Sequence, residues 1–171
     1  MPCYEVKCVD DDGNEVRLGE VGELWVKGAQ VIKGYINRPE ATAESITDGW
    51  LHTGDVATID EHGHVYIVDR VKELIKYNGF QVAPAELEAL IITHPAVADV
   101  AVIGIPEEGV GELPKAFVTL KPGAEATGDE IMAFVKAEVA TYKQIRLVEF
   151  IDEIPKSASG KILRRFLRDQ G

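Results

Sequence analysis

Apolar and polar residues alternate along YEVKCVD (4–10) and again along GELWVKG (22–28), the two-residue period of strands with one buried face. The intervening DDGN (11–14) is turn chemistry, so the chain starts as β structure. DVATID (55–60) and HVYIVDR (64–70) are a second pair of alternating runs around EHGH, a hairpin signal. Between the pairs, NRPEATAESI (37–46) carries Pro39 early, several Thr or Ser positions and a spacing suited to a short surface helix. Residues 1–70 are therefore expected to form an all-β, barrel-like or meander piece.

After Arg70 the texture changes. KELIKY (72–77) predicts a strand, and PAELEALIIT (84–93) a helix with Pro84 near its start, Glu86 and Glu88 in its first turns and a stop at His94-Pro95. VADVAVIGI (97–105) and KAFVTLK (115–121) read as strands. TGDEIMAFVKAEVA (127–140) reads as an amphipathic helix with Thr127 as its N-cap, and RLVEFID (146–152) as the strand that closes the sheet. A small-residue loop, PKSASGK (155–161), then runs into a basic helix, ILRRFLRD. The expected fold class is α+β: the β piece over 1–70, then a compact domain over 71–171 with a central sheet flanked by helices. No internal repeat or low-complexity tract interrupts it.

Composition narrows the function classes. Of 171 residues, 46% are hydrophobic and 27% charged, which suits a globular chain with one or two small cores. The net charge of −11 repels nucleic acid and anionic membrane over most of the surface. No apolar run approaches the roughly 20 residues that span a bilayer, and MPCYEVKCVD lacks the pattern of a signal peptide, so the expected compartment is the cytoplasm. Cys3 and Cys8 fall on opposite faces of one predicted strand and are read as free thiols. Basic residues concentrate in two places, Arg70 to Lys76 and Lys156 to Arg168.

Three segments carry candidate chemistry. In Thr53-Gly54-Asp55 the glycine permits a sharp turn and Asp55 is expected to begin a strand, its carboxylate either accepting the two hydroxyls of a ribose or capping the turn. In DRVKELIKYNGFQVAP (69–84) a strand would put Lys72 and Lys76 on one face, converging on a phosphate or standing as solvated edge lysines. PKSASGK is expected to be a flexible loop bearing Lys161, which either neutralises a transferring phosphate or is an ordinary surface lysine. It is not a Walker loop, since Pro155 and Ile162 stand where that pattern needs Gly and Ser or Thr. His52, His62, His64 and His94 read as turn, strand or helix-end residues, and none is identified as a general base.

Read in order, GELWVKGAQVIKGYINRPEAT, GWLHTGD, DRVKELIKYNGFQVAPAELE and PKSASGKILRR resemble the adenylate-forming superfamily of 4-coumarate:CoA ligases, luciferases and fatty acyl-CoA synthetases, over essentially the whole chain. The resemblance implies an ATP-dependent acid:CoA ligase that forms an acyl-AMP and then an acyl-CoA, with ATP, Mg²⁺, CoA and a small carboxylic acid as its partners. It implies that Asp55 and Arg70 hold the adenosine ribose, and that Lys161 bridges carboxylate and α-phosphate in the first half-reaction. Lys72 matches the hinge about which a small lid domain rotates. Lys72 again, with Lys76, Asn78, Gly79 and Gln81, matches the acyl-adenylate and CoA face, Gly79 letting the pantetheine arm pass. Asn78 stands where the closest plant ligases usually carry Lys, which removes a cation from that face.

No Ser/Thr/Gly-rich phosphate loop, acid pocket or Mg²⁺-binding glutamate motif is found, so the resemblance also implies a missing N-terminal domain and an inactive isolated fragment. Two other readings compete: an adenylating domain that delivers to a carrier protein, and a noncatalytic interaction module. KELIKYNGFQVAP resembles the CoA-ligase and luciferase branch more than the peptide-synthetase form.

Overall fold

The computed structural model describes residues 4–169, so the reading of Cys3 lies outside the described residues. The chain divides into two compact units, Met1–Lys72 and Glu73–Gly171.

In the first unit the alternating runs become β1 (Tyr4–Val9), β2 (Gly22–Gly28), β3 (Ile46–Thr47), β4 (Trp50–Ile59) and β5 (Val65–Arg70), with one helix, α1 (Pro39–Ser45). All pairings are antiparallel. β2 lies between β1 and β4, and β4 also pairs with β3 and β5. Alternation sends Cys8, Leu24, Ala57 and Ile59 to one face, where they form the core with Val16, Val26 and Val65 against them. Cys8 is a free thiol whose burial raises its pKa. On another part of the sheet the Lys7 ammonium lies 5.0 Å from the Trp25 ring and 4.6 Å from the Trp50 ring, and Trp25 stacks on His52 at 3.9 Å. α1 buries no residue, as its polar composition predicts.

The strand expected over KELIKY is instead a single 3-10 turn, Val71–Glu73, followed by the short β6 (Ile75–Tyr77). Lys72 and Lys76 therefore do not share a strand face. A run as short as K-E-L-I-K fits either period, and the one fully buried position, Ile75, decides where the strand starts. There follow β7 (Phe80–Val82), α2 (Pro84–Ile91), β8 (Val97–Glu107), β9 (Gly111–Leu120), α3 (Gly128–Glu138), β10 (Leu147–Phe150) and α4 (Arg164–Arg168). α2 stops three residues before His94, because Thr93 and His94 donate back to Leu90 and Ile91 in a tightened last turn.

β8 and β9 form a long antiparallel hairpin, while β10 returns through α3 to pair parallel with β9 over Leu147–Phe150. β8 reads as a nearly continuous apolar run because both of its faces are covered. Leu87 and Ile91 of α2 and Ile131 and Val135 of α3 pack with Val100, Val102, Ala116 and Val118. Ala101, Ile103 and Phe117 instead meet Ile154 and Leu167 of α4. Each Leu, Ile, Val or Phe buried this way is worth about 1.5–3 kcal/mol. No helix among the described residues is long and apolar enough to cross a membrane.

α3 starts on a reciprocal cap. The Thr127 hydroxyl accepts from the Glu130 N–H at 3.2 Å, and the Glu130 carboxylate accepts from the Thr127 N–H at 2.8 Å. The backbone and then the hydroxyl bonds of Thr127 hold the Glu130 carboxyl below its ordinary range, so this contribution is present at neutral pH and is lost as pH falls through that lowered pKa. Thr127→Ala is expected to cost about 1 kcal/mol in urea unfolding and to raise the Glu130 titration midpoint in NMR. An unmoved midpoint would show that the cap does not bind in solution.

Candidate nucleotide and acyl-transfer site

The candidate residues fall into three places. In the first unit, β4 does not begin at Asp55 as expected; Thr53-Gly54-Asp55 sits inside a ten-residue strand. Trp25 pairs with His52 and Glu23 with Val56, so Leu24 alone faces Thr53, Gly54 and Asp55, and β4 bulges outward. Gly54 turns the corner at φ +71°, a conformation costly for a residue with a Cβ. Three bonds fix the bulge: the Thr53 hydroxyl donates to Leu24 O at 2.8 Å, the Asp55 N–H to Thr53 Oγ1 at 3.1 Å, and the Gly54 N–H to Glu23 Oε1 at 3.0 Å. The other oxygen of Glu23 accepts from the Trp25 indole at 3.0 Å. Glu23 was not among the expected site residues; its signal was a carboxylate in a strand otherwise suited to packing.

Across β4 and β5, Asp55 stands opposite Arg70, and Arg70 Nε meets Asp55 Oδ1 at 3.0 Å. Asp55 is 29% exposed and Arg70 67%, so the carboxylate is partly sunk while the guanidinium faces outward. The pair leaves Oδ2 and the terminal guanidinium nitrogens without a partner among the described residues, an acceptor beside donors at the strand edge. Arg70 and Lys72 both line an open cleft of about 470 Å³ in this unit, together with Glu23, Tyr35, Glu44 and His52. His52 Nε2 is buried there with no hydrogen-bond partner among the described residues.

Lys76, Asn78, Gly79 and Gln81 come together on one hairpin of the second unit, β6 with β7. Tyr77 pairs with Phe80, and the two residues between them, Asn78 at φ +49° and Gly79 at φ +79°, make the tight loop. Asn-Gly is the sequence that favours positive φ at both central positions, a signal that reading these residues for ligand contacts overlooked. It also gives a backbone reason for Asn78, since asparagine tolerates this conformation far better than lysine. The hairpin is held to the start of β9 and the turn before it: Tyr77 pairs with Gly111, the Lys76 N–H donates to Glu112 Oε2 at 2.8 Å, and the Asn78 N–H donates to Val110 O at 2.8 Å. Lys76 and Gln81 have exposed side chains.

Lys161, also exposed, ends a loop that is more ordered than its composition predicts. Lys156 and Ile162 bridge, the Ser157 N–H donates to Lys161 O at 2.8 Å, the Gly160 N–H to Ser157 O at 2.8 Å, and the Lys161 N–H to Ser157 Oγ at 3.2 Å. PKSASGK is a closed turn that presents one ammonium. Among the described residues no cluster of three or more His, Cys, Asp or Glu side chains is suited to a metal.

Residues 86–161 match the model of the AMP-binding enzyme C-terminal domain, and residues 1–36 that of the AMP-binding enzyme. Rice 4-coumarate–CoA ligase 1 (Oryza sativa subsp. japonica) is 53% identical over 97% of this chain and 30% of its own length. The crystal structure of ATP-bound MatB from Rhodopseudomonas palustris superposes with a TM-score of 0.93 at 34% identity, covering 99% of this chain and 34% of that one. That of o-succinylbenzoate CoA synthetase MenE from Bacillus subtilis, in complex with the acyl-adenylate OSB-AMP, gives 0.87 at 36% identity, covering 99% of this chain and 34% of that one. The chain thus spans about a third of the length of the relatives it matches. The α+β fold, the order of the motifs and these matches agree: the chain belongs to the adenylate-forming, AMP-binding enzyme family and carries that family's C-terminal domain.

Proposed function

We propose that the chain serves an ATP-dependent carboxylic acid:CoA ligase, in which it supplies ribose recognition, the adenylating lysine and the thioester-forming hairpin. The observation that carries this reading is the Asp55–Arg70 pair, an acceptor and a donor fixed 3.0 Å apart beside a cleft in a chain of this family. Oδ2 of Asp55 accepts from a ribose hydroxyl, and Arg70 donates to the same sugar.

In the first half-reaction a carboxylate oxygen of the acid attacks the α-phosphorus of ATP, and the bond to pyrophosphate breaks. The Lys161 ammonium lies against the carboxylate and α-phosphate and offsets the charge that builds between them. In the second, the CoA thiolate attacks the acyl carbon and AMP leaves with the electron pair of the C–O bond. The β6–β7 hairpin serves that step: the tight loop at Asn78-Gly79 brings backbone close to the pantetheine arm, and Lys76 and Gln81 face the acyl-adenylate. Asn78 carries no charge, so any CoA phosphate near it is met by another cation. Lys72, at the division between the units, is the hinge that exchanges Lys161 for the hairpin between steps.

Mg²⁺ belongs to this reading as a companion of ATP; among the described residues no cluster of three or more His, Cys, Asp or Glu side chains is suited to hold it. The buried free thiol of Cys8 suits the reducing cytoplasm, where we place the reaction.

A direct test grafts this chain in place of the corresponding third of rice 4-coumarate–CoA ligase 1. The wild-type graft is expected to release pyrophosphate with ATP and acid and to form the CoA thioester; a folded graft that does neither sinks the reading. In it, Lys161→Ala is expected to lower adenylation by roughly 10²–10³-fold while thioester formation from preformed acyl-adenylate changes little. Equal losses in both steps would strip Lys161 of its role. Asp55→Ala should weaken ATP binding by about 1.5–3 kcal/mol, the worth of hydrogen bonds to a charged acceptor. Unchanged affinity in calorimetry would leave Asp55 only the task of pairing with Arg70.

A further inference from the structure

The turn that carries Lys161 is held from both ends. On its N-terminal side Lys156 forms an ion pair with Asp99 of β8, the two side chains 37% and 32% exposed. On its C-terminal side, three residues past Lys161, Arg164 Nη2 reaches both oxygens of Glu88 on α2, at 2.7 and 2.9 Å, and Arg164 Nε donates to Val102 O on β8 at 3.3 Å. That second pair is 15% and 14% exposed, well shielded from water and salt. α4 has only five residues and has no intrinsic stability at that length. Its place is set by Arg164, by fully buried Leu167, and by Arg168, whose Nη2 lies 2.8 Å from Glu73 Oε2. Among the described residues, the only polar side-chain contacts between these anchors are those of the Ser157 hydroxyl, with Ser159 Oγ and the Lys161 N–H.

We infer that Asp99 and Glu88 are positioning residues for Lys161: together they clamp both ends of its turn to β8 and α2, so that the ammonium is presented from a fixed base rather than from a mobile loop. The inference rests on the adenylating role proposed above for Lys161. Its physical basis is the sensitivity of catalysis to placement, a displacement of about 1 Å being worth on the order of 100-fold in rate. A lysine already carries four flexible methylenes, and a mobile base would add to the freedom that must be lost in each turnover. Neither carboxylate needs to touch substrate. The expected variant signature is a loss in the adenylating step alone, with substrate affinity kept.

The more exposed end is the safer one to break. Glu88→Gln would strand the nearly buried Arg164, whereas Asp99→Asn leaves both partners access to water. In the 171-residue chain, hydrogen exchange in Asp99→Asn is expected to lose roughly 10-fold or more protection at the Gly160 and Lys161 amides, while the β8–β9 amides keep theirs. Unchanged exchange at 160 and 161 overturns the clamp whatever the chain catalyses. In the graft, Asp99→Asn is expected to cut kcat of adenylation by about 10–100-fold with KM for ATP and transfer from preformed acyl-adenylate unaltered. The charge-swapped pair Asp99→Lys with Lys156→Asp should recover most of that rate. Parallel losses in both half-reactions, or a swap that restores nothing, would reduce the pair to ordinary fold stability. An inactive wild-type graft would count against the ligase reading and not against the clamp, which the exchange measurement decides by itself.

Discussion

A carboxylate that is mostly removed from water has to be answered by a cation and by hydrogen bonds, and the second unit is arranged around one such demand. Glu88 leaves the solvent because its neighbours on α2, Leu87 and Ile91, must reach the core. Its Oε1 accepts from the Val102 N–H at 2.8 Å, and both its oxygens accept from Arg164. Arg164 in turn covers the Val102 carbonyl. Two backbone groups of β8 that β9 does not take are thereby satisfied by side chains, which removes an exposed stretch of strand edge. One partner deleted from a pair this sheltered typically costs about 3–5 kcal/mol, a large share of what a small unit has to lose. Helix, strand edge and chain terminus are thus one unit of structure, and the turn bearing Lys161 hangs within it.

The first unit meets a different constraint, a strand with more residues than its partner can pair. Leu24 faces three residues of β4, and the excess is absorbed by Gly54 and by the two-sided carboxylate of Glu23. This irregularity sets the register beyond it, where Asp55 comes opposite Arg70. A one-residue slip would turn Asp55 to the other face of the sheet and break the pair. The tripeptide therefore acts through geometry before it acts through chemistry: the bulge aims the carboxylate, and the carboxylate then fixes the arginine.

Local patterns were legible where the chain acts locally. Thr127 and Glu130 are three residues apart, and the cap they form was half visible in Thr127 alone; the extent of β2 and the position of α1 followed from alternation and from Pro39. The misreading of Lys72 came from a segment too short for either period to assert itself. Other features had no local signature. Glu88 and Arg164 are 76 residues apart, Lys76 and Glu112 are 36 apart, and nothing in either sequence neighbourhood announces its partner. Composition also misled, because Ser, Ala and Gly in PKSASGK describe the freedom of an isolated loop, whereas Ser157 closes it and its flanking cations pin it.

Asn78 shows how backbone and chemistry compete for one position. A lysine there would add a cation to the face assigned to CoA, yet it would have to hold φ near +49°, a conformation that costs most side chains about 1–2 kcal/mol. Asparagine relieves that strain, and with Gly79 it makes the two-residue turn that brings Tyr77 and Phe80 into register. Phe80 is thereby stacked on Tyr142 at 4.5 Å, and Lys76 is held through its own backbone by Glu112. The hairpin gains shape from this residue where it forgoes charge. On the CoA-binding role proposed for it, this hairpin leans more on a preset backbone and less on electrostatic attraction, and its affinity for a polyanionic thiol should depend correspondingly less on salt.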